Sequence, residues 1–200
     1  AGPIQYVFGS SAVQLNNDGL IHKTSGTTQT LLNAGTYTQG STGALDVDTG
    51  TLNLAVNGAY TGIVNVDPGG TIQLTSGIHG FNAGVNTTGT GALTVAGGTL
   101  SVNTPLTMGA ADPVLSLSAG TITGASALTV DTAFNWSGGT LTGAGLLTTN
   151  GATSVTTTGP VLDGKTWENA GVLTIGPGDD RLALANNAIL TNKPGGTVVL

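Results

Sequence analysis

Between residues 113 and 143 the chain repeats itself at an offset of 19 residues. Leu115 is matched by Phe134, Leu117 by Trp136, Thr121 by Thr140, Ile122 by Leu141 and Gly124 by Gly143. Each copy alternates apolar and polar residues, passes a glycine, and resumes as Thr-aliphatic-Thr-Gly, so two short strands flank a turn. A strand pair this short cannot bury its own apolar side. Repeats of about twenty residues meet that problem by stacking, each unit covering the next.

A shorter signature extends the pattern. Glycine, threonine and an aliphatic residue follow one another from Gly50, Gly70, Gly98, Gly120, Gly139 and Gly196, with a degenerate copy from Gly171. The first spacings are 20, 28, 22 and 19 residues. That variation argues against a strict hexapeptide left-handed helix. It fits an all-β, right-handed parallel β-helix whose turns absorb insertions, with about nine or ten rungs of ~20 residues stacked roughly 4.8 Å apart. In each copy the aliphatic residue points inward and its polar neighbours outward. Residues 44–47, 63–66, 92–95 and 127–130 share a second alternating pattern and are expected to form a second aliphatic ladder. No helix is expected.

The organisation read from the sequence is an irregular N-terminal segment, residues 1–30, serving as a cap or as first rungs, followed by β-helix repeats over 31–200. Residues 4–8 and 12–15 look like strands, Asn16, Asn17, Asp18 and Gly19 make a turn, and Leu20 opens another strand. The last residues, 195–200, stop in mid-strand on Val198, Val199 and Leu200. Solenoids close their ends with caps. The expectation is therefore that the repeats continue in a longer chain, or that another subunit stacks there.

Composition narrows the class. Thirty-four glycines and only 7% charged residues depart from the ordinary globular mix. Disorder would bring more charge and fewer β-branched residues, and collagen's strict glycine period is absent. Ten acids against four bases leave a net charge of −6 without a basic patch, which argues against nucleic acid and anionic membranes as partners. Cysteine is absent, so disulfides and thiolate metal sites are excluded. No apolar run approaches a membrane span, so membrane insertion is not expected.

Candidate sites are few. An outward threonine column, Thr51, Thr71, Thr99, Thr121 and Thr140, with Thr123 and Thr142 completing two Thr-x-Thr pairs, could order water against ice or hold glycans. The plainer reading is that threonine is a good exposed strand residue. The 28-residue spacing suggests a protruding loop over residues 77–91, where His79 and Phe81 would make specialised contacts. Asp46 and Asp48 share an outward face and could pair around an ion, but solvated carboxylates explain them more simply; the calcium-binding nonapeptide is missing. Asp179, Asp180 and Arg181 read as a turn with a local ion pair. Sugar cleavage needs two placed carboxylates, or a carboxylate with calcium and a base; neither His22 nor His79 falls beside a carboxylate in the repeat register. No catalytic residue, metal set or cofactor is assigned, and the chain is not expected to be an enzyme.

Residues 134–145 together with residues 162–173 resemble repeats of very large bacterial exported proteins, the filamentous-haemagglutinin-like and autotransporter-passenger-like adhesins. The resemblance implies a β-helical stalk on a bacterial cell surface or in a secreted protein, and carries no catalytic residues with it. Expected partners are a host or neighbouring-cell surface, glycans, or further copies stacked end to end into filaments. The alternatives are an ice- or glycan-binding solenoid and, third, a polysaccharide-degrading β-helix enzyme.

Overall fold

The computed structural model describes residues 13–32, 34–176 and 179–200. The expected strand at residues 4–8 lies outside them. Among the described residues there are twenty-five strands, and every strand pairing is parallel. The result is a right-handed parallel β-solenoid, as the repeat predicts.

Each of nine coils crosses three faces. The third coil is representative: Asn57–Tyr60 on the first face, Ile63–Val66 on the second and Gly70–Leu74 on the third. Each strand lies on its counterpart from the coil before. Gln14–Asn17, Leu20–Lys23 and Thr28–Thr30 already make a regular first coil, so the stacked repeat begins well before residue 31. The second face is broken into a four-stranded and a five-stranded sheet, while the other two are joined into sixteen strands.

That joining has a local cause. Ala92–Val102 and Val114–Thr123 run from the third face onto the first without leaving strand geometry, turning at glycines. Gly97 and Gly120 take positive φ at the two bends, 149° and 80°, which residues with a Cβ rarely adopt. Register shifts between Val95 and Thr99 absorb the corner.

The repeat offset is reproduced residue for residue: Leu115 pairs with Phe134, Leu117 with Trp136, Thr121 with Thr140 and Ile122 with Leu141. The second aliphatic ladder is not. Ala44–Val47 and Ile63–Val66 do stack on the second face, but residues 92–95 pair with Gly70–Leu74 on the third. Leu128–Val130 belongs to the five-stranded part of the second face. All three faces use the same alternation, so the pattern alone does not say which face a strand occupies.

Inward side chains form one continuous core from Leu31 to Leu173. Each buried aliphatic contributes about 1.5–3 kcal/mol before chain entropy is counted. Aromatic rings fill two stretches: Tyr37, Tyr60 and Phe81 stack in successive coils at centroid distances of 5.4 and 5.3 Å. Further along, Phe134 and Trp136 stack within one strand at 5.9 Å, and Trp136 meets Trp167 of a later coil at 6.1 Å.

Candidate functional site

The threonines expected in one column occupy two faces. Thr51 pairs with Thr71, and Thr71 pairs with Ala92, all on the third face. Thr99 pairs with Ile78, Thr121 and then Thr140 follow it, and Thr123 and Thr142 lie beside them on the first face. The 28-residue spacing is thus not a long coil. It is one ordinary coil, from Thr71 to Ala92, plus the step along Ala92–Val102 onto the next face. All seven threonines are half-buried by their stacked neighbours rather than openly exposed.

The protruding loop disappears for the same reason. His79 and Phe81 lie in the strand Ile78–Phe81 and point inward, 0% and 1% exposed. They present no surface for a loop contact. The His79 Nε2–H donates to the Ser76 carbonyl at 2.9 Å, which leaves Nδ1 to accept the Tyr60 hydroxyl at 3.0 Å. Gly58 makes this possible, because a Cβ there would stand 2.5 Å from the Tyr60 oxygen. Burial pushes the His79 pKa below 6.5, against the Ser76 hydrogen bond.

A stability consequence follows from the direction of that shift. The unfolded chain takes up a proton at this histidine before the folded chain does. Its contribution is therefore complete above pH 6.5 and is lost as pH falls through the lowered folded value. Urea midpoints measured at about pH 7.5 and 5.5 should fall on acidification, and His79→Leu should flatten that slope. Both are compared in a His22→Gln background, since His22 has the opposite shift. A slope unchanged by His79→Leu contradicts the assignment.

The register brings together residues that the sequence kept apart. His22 pairs with Asp46, Asp46 with Asn65, and Asn65 with Thr88, an outward column on the second face. Asp48 and Asp67 follow two residues after Asp46 and Asn65. His22 Nε2 lies 2.8 Å from Asp48 Oδ1 and 3.6 Å from Asp46 Oδ2. Asn65 Nδ2 donates to Asp46 Oδ1 at 2.7 Å and to Asp67 Oδ1 at 2.9 Å, and Thr88 Oγ1 donates to Asn65 Oδ1 at 2.8 Å. The Asp48 hydrogen bond, with the Asp46 and Asp67 charges behind it, raises the His22 pKa. Lys23, the next residue, turns inward: it is buried, and its amine donates to the Ser25, Gly26 and Thr49 carbonyls. A cavity of about 370 Å³ lined by His22, Lys23 and residues 24–29 opens beside the cluster.

Among the described residues, His22, Asp46 and Asp48 are the one group of three such side chains close enough to share an ion. The expectation that His22 falls beside no carboxylate is overturned by its pairing with Asp46. Aligning the alternation of Leu20–Lys23 on Ala44–Val47 would have found it, across a coil of 24 residues rather than 19.

The third face carries a different feature. Thr30, Asn53, Gln73, Thr94, Ser116, Asn135, Ser154 and Thr174 pair in succession as a single outward column. Among the described residues, no strand of this face contains an ionisable residue. The chain matches no family model, no curated protein and no solved structure.

Proposed function

We propose that this chain is a non-enzymatic structural and adhesive segment of a large bacterial surface or secreted protein, a stiff rod that presents its faces to glycans. The observation that carries the reading is the eight-residue column of hydroxyl and amide side chains on the third face. Such groups both donate and accept hydrogen bonds, as sugar hydroxyls do, and their spacing of about 4.8 Å repeats along the rod. The absence of charge on that face favours a neutral polymer over an ionic one. Ice binding is the weaker variant, because Thr51, Thr71, Thr99, Thr121 and Thr140 divide between two faces instead of forming one flat column.

The test passes neutral polysaccharides over the immobilised chain while assaying for new reducing ends. The expected result is retention without cleavage, weakened by Ser116→Lys and Asn135→Lys. Release of reducing ends would replace this reading with the enzymatic one. Retention that ignores both substitutions would move the binding surface elsewhere.

A further inference from the structure

We propose that His22, Asp46 and Asp48 bind one divalent transition-metal ion of the zinc class and so clip the first coil to the second. Three surface carboxylates alone would not support this. The distinguishing feature is an imidazole nitrogen brought from another coil to face two carboxylate oxygens.

The separations suit a shared ion. Ligand atoms about 2.0–2.2 Å from zinc lie about 2.8–3.1 Å apart in an octahedral shell and about 3.3–3.6 Å apart in a tetrahedral one. The imidazole-to-carboxylate separations are 2.8 and 3.6 Å, the two limits of that span. All three donor atoms lie within 4.8 Å of one another, so a small rotation of one carboxylate completes the set.

The surroundings orient the donors. Asn65 occupies Asp46 Oδ1, which leaves Oδ2 turned to His22, and Thr88 in turn fixes the Asn65 amide. Hydrogen bonds of this kind hold carboxylate ligands in metal sites. The three side chains are 25–36% exposed, so water can fill the remaining positions. An imidazole donor selects zinc, nickel, cobalt or copper over calcium and magnesium, which take oxygen ligands.

Calorimetric titration of the tag-free chain with zinc chloride, with cobalt as a visible-absorption probe, tests the site. The expected result is one ion per chain, undisturbed by excess calcium, and a melting temperature that rises with zinc. His22→Ala, an exposed substitution that should leave the circular dichroism spectrum intact, abolishes both effects. Asn65→Ala weakens binding about tenfold or more, as loss of a ligand-orienting group does. Three results would each overturn the proposal: no zinc binding, equal affinity in His22→Ala, or displacement by equimolar calcium.

Discussion

Trp136→Ala is expected to lower the unfolding free energy by about 3–5 kcal/mol, the range for removing a fully buried large aromatic. Trp136 is 0% exposed, stacks on Phe134 at 5.9 Å, meets Trp167 at 6.1 Å and pairs with Leu117 and Val155 of the coils before and after, so a cavity there would adjoin the neighbouring coils on both sides. A solenoid draws its stability from contacts between neighbouring coils, and loss at the sixth coil weakens the coupling on both sides. The two tryptophans should nevertheless respond differently to phenylalanine. The Trp136 indole N–H is buried with no hydrogen-bond partner, whereas that of Trp167 donates to Thr149 Oγ1 at 2.9 Å. Trp136→Phe removes an unsatisfied donor, while Trp167→Phe deprives Thr149 of one. The second should cost about 1–2 kcal/mol more than the first. Urea unfolding followed by far-ultraviolet circular dichroism checks both, and equal losses would mean that the hydrogen bond to Thr149 contributes nothing.

Gly120→Ala should be nearly as damaging despite adding a single methyl. Gly120 has φ of 80°, and its new Cβ would stand 2.2 Å from the Gly98 carbonyl oxygen. That oxygen belongs to the backbone of the preceding coil and cannot swing aside as a side chain would. The backbone conformation alone costs about 1–2 kcal/mol, and the displaced corner should bring the total to about 2–4 kcal/mol. Gly69→Ala separates the two effects. It shares a positive φ of 91°, but nothing lies within 4 Å of its added Cβ. Its loss should therefore stay at the conformational value of about 1–2 kcal/mol. If both variants lose the same amount, close stacking of the coils is not what requires glycine at the corner.

These two sites also mark what could be read from the chain. The repeat at residues 115–141 was legible because inward residues, corner glycines and coil length all agree there, and the pairing of Leu117 with Trp136 follows without adjustment. Assignment of strands to faces was not legible. Glycine, threonine and an aliphatic residue mark entry to the third face at Gly70 and to the first face after Gly98, since each corner needs the same glycine and each strand the same alternation. His79 shows the same limit in one residue. A histidine flanked by Ile78 and Gly80 suggests an exposed loop, yet Ile78 is the one facing solvent, at 58%. Tyr60, one coil away, supplies the polar partner that makes an inward histidine tolerable. Likewise His22 meets Asp46 and Asp48 only because parallel pairing carries it across a coil of unusual length.

Register is the claim on which the third-face column and the His22 cluster both depend, and the absence of native cysteine makes it directly measurable. Paired residues on adjacent strands lie about 4.8 Å apart, within the Cα range that a disulfide spans. Mild oxidation of the double variant Thr71→Cys with Ala92→Cys should give rapid intramolecular cross-linking, while Thr71→Cys with Thr99→Cys should remain reduced. Cross-linking of Thr71 to Thr99 in place of Ala92 would restore a single threonine column and contradict the three-faced arrangement.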